Sequence, residues 1–232
     1  MTVRAGRLLR KPTRHSQRHL HRGKKANPLK AQSWEPEQDG HYVEPTWVNV
    51  AFFKAETFEG PIYDPCCGFG RVVEAAIAAG LSAIGTDIVD RGFRKFGGKR
   101  DFMKVTTPAA NMVFNPPFHI LAKFVAHAVQ LTKRKCCVVM PARRFNAAHN
   151  WLPFLPLARI YYLTPRPSMP PGHVITNGGK TTGGTNDFVY LVFERGHIGP
   201  PVPFWLHRTH GVIAFNQLPK KQGSRSVRVA QR

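Results

Sequence analysis

The chain has 232 residues, with 34 Lys or Arg against 13 Asp or Glu and a formal net charge of +21. This length suits one α/β domain with a full core and short extensions. The excess of positive charge indicates a polyanionic partner, because cations that contact phosphates release counterions, and nucleic acid is the leading candidate. A membrane surface is disfavoured, since no apolar run approaches the roughly 20 residues of a spanning helix and no long basic amphipathic helix is present.

The four cysteines occur as two adjacent pairs, Cys66 with Cys67 and Cys136 with Cys137. This spacing fits neither a zinc site nor a disulfide framework, so we expect no bound metal and a reduced, cytoplasmic protein. The first residues lack the apolar core of a secretory signal and resemble an organellar transit peptide only faintly.

The composition divides the chain into three regions. Residues 1–33 are a basic arm, with ten Lys or Arg and no acidic residue among the first 30, and such a segment cannot bury enough apolar surface to fold alone. We predict a disordered arm that binds phosphates, and the alternative is a solvated tail. The catalytic domain is predicted at 34–199, and residues 200–232 are predicted to be an extension that ends in a second basic tail.

The first predicted elements of the domain lead to a glycine-rich turn. Residues 48–53 are apolar and predicted to be helical, and a short strand at 61–63 runs into a turn with Gly68 and Gly70 that opens a helix at 71–79. Glycines there let a ligand approach the backbone, and the first N–H groups of the helix favour an anionic group. The pattern predicts a nucleotide or carboxylate site at the end of the first parallel strand. The alternative is a tight turn that needs glycine only for its dihedral angles.

The second strand is predicted at 82–86, with Asp87 at its carboxyl tip. An acidic residue about 20 residues after the glycines can accept hydrogen bonds from a ribose diol, and the alternative is a helix N-cap. Residues 90–99 are rich in glycine and basic residues and are predicted to be a loop. Asp101 and Phe102 follow a third short strand, where a carboxylate can accept from an exocyclic amine while a ring flanks the base.

The fourth strand, at 111–114, ends in the sequence Asn115-Pro116-Pro117-Phe118. Two successive prolines remove two N–H donors and restrict the backbone, which holds the asparagine amide, the Pro116 carbonyl and the Phe118 ring in set positions. The alternative is an ordinary strand-to-helix turn with proline at the first helical position. A helix at 119–131 and strands at 136–140, 159–163 and 188–193 complete a parallel, doubly wound sheet.

The positive charge is concentrated after the third strand. Residues 102–186 contain no Asp or Glu but ten Lys or Arg, so the half of the molecule that carries N-P-P-F is predicted to be the positive half. Within it, residues 164–187 are a long loop rich in Pro, Gly and Thr, and a loop of this length in a compact domain is usually functional. The predicted nucleic-acid contacts are Lys123, Arg143, Arg144, Arg166 and Lys180.

Taken together, residues 42–195 resemble the class I S-adenosylmethionine-dependent methyltransferases, and more narrowly the small, often phage-encoded enzymes that methylate N6 of adenine in DNA. The motifs that carry the resemblance are E-P-T-W at 44–47, D-P-C-C-G-F-G at 64–70, Asp87, Asp101-Phe102 and N-P-P-F at 115–118. The resemblance implies a Rossmann-like α/β fold, with a mostly parallel, seven-stranded, doubly wound sheet and an antiparallel strand near its C-terminal end. It also implies S-adenosylmethionine as the cofactor and double-stranded DNA as the substrate.

The resemblance also implies which residues hold the cofactor. Asp64 and the backbone of the glycine turn would hold the methionine part, Asp87 would bind the ribose hydroxyls, and Ile88 would lie against the adenine. Asp101 would accept from the adenine amine while the Phe102 N–H donates to the ring. The implied cofactor set is Tyr42, Trp47, Asp64, Pro65, Cys66, Cys67, Gly68, Gly70, Asp87, Ile88, Asp101, Phe102 and Asn115.

For catalysis the resemblance implies Asn115, Pro116, Pro117 and Phe118. The N6 lone pair is delocalised into the adenine ring, so two acceptors, the Asn115 side-chain oxygen and the Pro116 carbonyl, would pull the amine toward tetrahedral geometry. Phe118 would stack on the flipped-out base and offset part of the unstacking energy. Alignment with the sulfonium methyl would supply much of the rate, with no metal. No recognition domain of the usual size fits the chain, so we predict short or relaxed sequence specificity and salt-sensitive binding.

Other functions stay open at this point. An RNA adenine methyltransferase would use the same motif and charge, and base extrusion is easier from RNA loops. A protein glutamine methyltransferase would meet a planar amide with the same two hydrogens, although the basic surface argues against it. A non-catalytic nucleic-acid-binding protein is a further alternative, but binding alone would not require both the glycine turn and the N-P-P-F motif. A monomer is the default expectation, because there are no heptads.

Overall fold

A computed structural model describes residues 40–179, 181 and 183–214. The predicted basic arm at 1–33, the predicted contact Lys180 and the basic end of the C-terminal extension lie outside the described residues. No helix in the described ranges is long and apolar enough to cross a membrane. Nor do the described residues group three or more His, Cys, Asp or Glu side chains into a metal-binding cluster.

The described chain is built on one nine-stranded sheet with the order β3-β2-β1-β4-β5-β7-β6-β8-β9. The strands are β1 (Ile62–Asp64), β2 (Ala83–Asp87), β3 (Phe96–Lys99), β4 (Ala109–Phe114), β5 (Thr132–Pro141), β6 (Leu157–Thr164), β7 (Phe188–Glu194), β8 (Val202–His207) and β9 (Gly211–Ala214). Strands β1 to β5 pair in parallel, and β7 runs antiparallel to both β5 and β6. The predicted antiparallel strand near the C-terminal end is therefore β7.

Helices cover both faces of this sheet. They are α1 (Thr46–Ala55), α2 (Arg71–Ala78), α3 (Leu121–Leu131) and the short α4 (Gly172–Thr176). Successive side chains of a strand point to opposite faces. Accordingly Val113 of β4 packs in the cluster that contains α1 and α2, whereas its neighbours Met112 and Phe114 pack in the cluster that contains α3. Burial on both faces explains why the central strands are continuous apolar runs.

Two strands of the C-terminal extension were not predicted, and they raise the count from seven to nine. The third predicted strand, expected just before Asp101, is β3, which lies inside the segment 90–99 that was predicted as a loop and pairs in the described sheet with β2 alone. The C-terminal extension contributes β8 and β9, and β8 lies parallel to β6. Pro203 is tolerated in β8 because its register partner is on β6 alone, and the pairing with β9 begins at Phe204.

A buried ion network fixes the end of α1 to the sheet. Glu56 is its C-cap residue, and its carboxylate accepts hydrogen bonds from Arg159 at 2.8 Å, Lys135 at 2.6 Å and the Tyr161 hydroxyl at 2.9 Å. Both cations lie on sheet strands, so the network locks the orientation of α1. The residues just before the other end of α1 enter the candidate site.

Candidate active site

The carboxyl ends of β1, β2 and β4 border a cavity of about 270 Å³. These strands are parallel neighbours, so their carboxyl ends meet at one edge of the sheet, where ligands bind in open α/β folds. The predicted site residues in its wall are Tyr42, Asp64, Pro65, Cys66, Cys67, Gly68, Asp87, Ile88, Asp101, Phe102, Asn115 and Pro117. The structure thus brings most of the predicted cofactor set around one space.

The glycine turn adopts backbone dihedral angles that favour glycine. Gly68 and Gly70 have φ values of +50° and +79°, which other residues adopt rarely. A side chain at Gly68 would clash with the imidazole of His41, so the turn is closely covered. Gly70 lies outside the cavity wall, where it is the N-cap residue of α2.

Asp87 connects the tip of β2 to this turn. One carboxylate oxygen accepts from the Gly68 N–H at 2.8 Å and the other accepts from the Val89 N–H at 3.0 Å. No helix follows Asp87, so the N-cap alternative does not apply. Each oxygen keeps acceptor capacity for a ligand hydroxyl, because an ionised carboxylate has about four lone-pair sites.

The cavity is acidic although the protein as a whole is strongly basic. Glu44, Asp64 and Asp87 lie in its wall and are each at most 6% exposed. Burial raises the pKa of Asp64 well above its ordinary value, and the charges of Glu44 and Asp87 raise it further, against a hydrogen bond from the Cys66 N–H. Three carboxyl groups in one small cavity favour a ligand that carries positive charge.

The cysteine thiols of the turn remain protonated. Burial is the largest cause that raises the pKa of Cys66 well above its ordinary value, and the charge of Asp64 adds to it. The Cys66 thiol donates to the Asn115 carbonyl at 3.4 Å. This contact joins the glycine turn to the N-P-P-F segment across 49 residues of sequence.

Asn115 lines the cavity and has an unpaired acceptor among the described residues. Its Nδ2 donates to the Tyr42 carbonyl at 2.8 Å and to Glu44 Oε2 at 2.9 Å. Its Oδ1 is buried and has no hydrogen-bond partner within the described part of the chain. A buried acceptor left unpaired costs free energy, so its presence indicates a ligand donor.

Besides Gly70, three predicted residues of the site lie outside the cavity wall. Pro116 is buried outside the cavity wall, and Trp47 packs against the hydrophobic core from the first turn of α1. The Phe118 ring also lies outside the wall, with its centroid 5.9 Å from that of Tyr42 and 6.3 Å from that of Phe188. The Tyr42 and Phe118 rings are within 20° of parallel.

Asp101 and Phe102 both reach the wall, but they are held differently. Asp101 accepts from the Met103 N–H at 3.1 Å and its side chain remains 36% exposed, so it is open to a ligand. The Phe102 ring is 3% exposed and packs on Phe124, with a centroid distance of 4.7 Å. Its ring therefore belongs to the core beneath the cavity.

The predicted nucleic-acid contacts divide into two groups. Lys123 and Arg143 are exposed, and Arg143 and Arg144 follow β5, which ends at the same sheet edge as β4 and its Asn115. Arg166 instead pairs with Asp187 at 2.7 Å, which ties together the two ends of the 164–187 loop.

Glu44 and Arg71 are among the residues of the wall that sequence reasoning missed. Glu44 stood within the E-P-T-W motif, and an acidic residue beside an apolar helix was the available signal. Arg71 is in the first turn of α2, where it donates to the Thr46 hydroxyl at 2.8 Å. Its Nε is buried without a partner among the described residues, and the side chain lines the cavity beside the glycine turn.

Comparisons with known proteins place this geometry in a fold class. No protein-family profile and no curated protein sequence matches the chain. Among solved structures, the M protein of the type I restriction enzyme EcoKI matches 73% of this chain and 49% of its own at a TM-score of 0.50 and 13% identity. The type I restriction-modification methyltransferase subunit from Streptococcus thermophilus matches 72% and 47% at a TM-score of 0.49 and 9% identity.

The chain therefore spans about half the length of these two restriction-modification proteins. Magnesium protoporphyrin IX methyltransferase from Synechocystis, solved with bound S-adenosylmethionine, matches 64% of this chain and 78% of its own, at a TM-score of 0.44 and 13% identity. Sequence identities of 9% to 13% indicate a shared fold and carry no conclusion about activity or substrate. The chain has the mostly parallel, Rossmann-like class I methyltransferase fold that the sequence predicted, with nine strands instead of seven.

Proposed function

We propose that this protein is a methyltransferase that uses S-adenosylmethionine to methylate N6 of an adenine flipped out of DNA. One observation carries the proposal. The Asn115 Oδ1 acceptor is buried and unpaired in the described chain, and Asn115 lines the cavity whose wall also includes the glycine turn and Asp87. A buried unpaired acceptor at this position matches the need for a group that receives an amine hydrogen.

The residues around the cavity fit the cofactor. The methionine carboxylate would meet Arg71, whose buried Nε lacks a partner in the described residues, and the N–H groups at the start of α2. Asp87 would accept from the ribose hydroxyls, and Ile88 and Asp101 would flank the adenine. Asp64 lines the cavity and would present its carboxyl oxygens toward the sulfonium. When bound, S-adenosylmethionine supplies an activated methyl group.

The protein's own residues would contribute in two ways to the reaction. They would align the adenine with the cofactor, and they would accept hydrogen bonds from the N6 amine. Asn115 Oδ1 would accept one N6 hydrogen, and the Pro116 carbonyl is the predicted acceptor for the second. Both acceptors would localise the lone pair on N6 and stabilise the positive charge that develops there as the S–CH₃ bond of the cofactor breaks and the N6–CH₃ bond forms, and the surplus N6 proton would pass to solvent. Two consecutive prolines hold this segment rigid, so little reorganisation is needed. Phe118 remains the predicted stacking surface for the base, with Tyr42 beside it.

The charge of the chain supports a nucleic-acid substrate over a protein glutamine. The net charge is +21, and Arg143 and Arg144 follow the strand next to Asn115. Phosphate contacts of this kind supply affinity without reading sequence, which agrees with short or relaxed specificity. Duplex DNA is the proposed substrate, RNA is the alternative that the experiment separates, and we place the reaction in the cytoplasm with the protein acting as a monomer.

The test is transfer of labelled methyl from S-adenosylmethionine to unmethylated duplex DNA and, in parallel, to structured RNA. Digestion to nucleosides then identifies the product. We expect N6-methyladenine in DNA with the wild type and none with Asn115→Ala, while cofactor binding persists in the variant. The matched control is Asn146→Ala, which removes an exposed amide outside the cavity and should retain activity. Absence of transfer to DNA by a protein that binds cofactor would refute the proposed substrate.

A further inference from the structure

Glu44 is a buried acid in contact with the amide of Asn115. We propose that Glu44 is a positioning residue that fixes the orientation of this amide, so that Oδ1 faces the cavity and Nδ2 faces away. The inference rests on the proposed function for its kinetic consequence, but the contact itself is open to a separate test. Glu44 does not touch the transferred group in this proposal, because it acts through Asn115.

The hydrogen bonds of Asn115 Nδ2 allow one orientation. Both of its N–H groups are used, one by the Tyr42 carbonyl at 2.8 Å and the other by Glu44 Oε2 at 2.9 Å. Neither partner can donate, since a carbonyl and a carboxylate only accept. Rotating the amide by half a turn would place Oδ1 against two acceptors and aim two donors at the incoming amine.

A second set of hydrogen bonds holds Glu44 in place. Its other oxygen, Oε1, accepts from Asn49 Nδ2 at 2.9 Å, and Asn49 Oδ1 accepts from the Tyr190 hydroxyl at 2.6 Å. Asn49 and Tyr190 are both 0% exposed and Glu44 is 6% exposed. Glu44, Asn49 and Tyr190 are thus buried and joined by hydrogen bonds, and they connect the buried strand β7 through α1 to the cavity.

The backbone around Glu44 is also fixed from outside the helix. The Val43 N–H donates to the Pro170 carbonyl at 2.9 Å, and the Gly172 N–H donates to the His41 carbonyl at 2.9 Å. Pro45 follows Glu44 as the N-cap residue of α1, where the partial positive charge of the helix end favours a carboxylate. Segment 41–44 is thereby held between the N-P-P-F turn and the 164–187 loop.

The charge of Glu44 has a chemical consequence beyond orientation. A hydrogen bond from an amide N–H to a carboxylate is stronger than a neutral one and polarises the amide. Polarisation places more negative charge on Asn115 Oδ1, which makes it a better acceptor as N6 becomes positive. The effect belongs to the chemical step rather than to the binding of cofactor, so it is measured in kcat.

The kinetic test compares Glu44→Gln and Glu44→Ala with the wild type at saturating S-adenosylmethionine. We expect kcat to fall about 10-fold for Gln, which keeps an acceptor without the charge, and about 100-fold for Ala. The control is Glu56→Gln, the same change at a buried acid beyond the other end of α1, which should lower stability and leave kcat unchanged. Unchanged kcat in both Glu44 variants, or a loss fully restored by more cofactor, would overturn the proposal.

A second readout is independent of activity. In the NMR spectrum of ¹⁵N-labelled protein, the side-chain amide signals of Asn115 are identified by their absence from the spectrum of Asn115→Ala. In the wild type we expect the two Nδ2 protons to be inequivalent and protected from exchange with solvent. Glu44→Ala, which removes the acceptor, should reduce this protection by at least about tenfold, and unchanged protection would contradict the proposed contact. If the wild type methylates no nucleic acid, the proposed function fails while this measurement still decides the role of Glu44.

Discussion

Replacing Asp87 with Asn tests whether a carboxylate is required to hold the glycine turn in its ligand-binding form. The carboxylate accepts from the Gly68 N–H at 2.8 Å and from the Val89 N–H at 3.0 Å. Asparagine has one acceptor oxygen, so its NH₂ group must face one of these N–H donors. The loss of one hydrogen bond to a charged group costs about 1.5–3 kcal/mol, before any loss of contacts to the ribose. We therefore expect affinity for S-adenosylmethionine to fall about 100-fold.

Isothermal titration calorimetry with S-adenosylmethionine measures this change directly. The matched control is Asp90→Asn, because Asp90 is exposed, accepts from the Gly92 N–H at 2.9 Å and lies outside the cavity wall. That variant should bind the cofactor as the wild type does. An affinity of Asp87→Asn within about threefold of the wild type, or an equal loss in both variants, would refute the assigned role of the Asp87 carboxylate.

Two further predictions concern stability and substrate affinity. Burial raises the pKa of Glu56, but hydrogen bonds from Arg159 and Lys135 outweigh it, so the pKa lies below its ordinary value of 4.5. The ionised carboxylate therefore adds stability above pH 4.5 that is lost as the pH falls through the lower folded value. Glu56→Gln should lower the free energy of unfolding by about 3 kcal/mol at pH 7, as measured by urea unfolding. The free energy of unfolding of this variant should also fall less steeply than that of the wild type as the pH is lowered below 4.5. An equally steep fall in both proteins would contradict this prediction. Arg143→Ala combined with Arg144→Ala should weaken DNA binding and reduce the slope of log affinity against log salt by about 2, and wild-type binding insensitive to salt would exclude the phosphate contacts.

Local sequence patterns were sufficient to predict the fold class and to assemble the candidate cavity. The glycine turn, Asp87 and Asn115 each stand at the end of a parallel strand, and in a doubly wound sheet these ends lie at one edge. Their proximity follows from the fold class without knowledge of any single contact. The apolar runs also predicted the central strands, because burial on both faces of the sheet leaves few positions for polar residues.

The tertiary structure alone decided which side chains meet. Glu44 and Asn115 are 71 residues apart, and Tyr190 is 141 residues from Asn49, so no local pattern links them. Edge strands such as β3 and β9 are defined by the strand they pair with, which short-range periodicity does not encode. Arg166 illustrates the same point, since only the fold shows that it pairs with Asp187, and its phosphate contact stays a prediction. Sequence thus determined the elements and their polarity, and packing determined the contacts that orient the reactive groups.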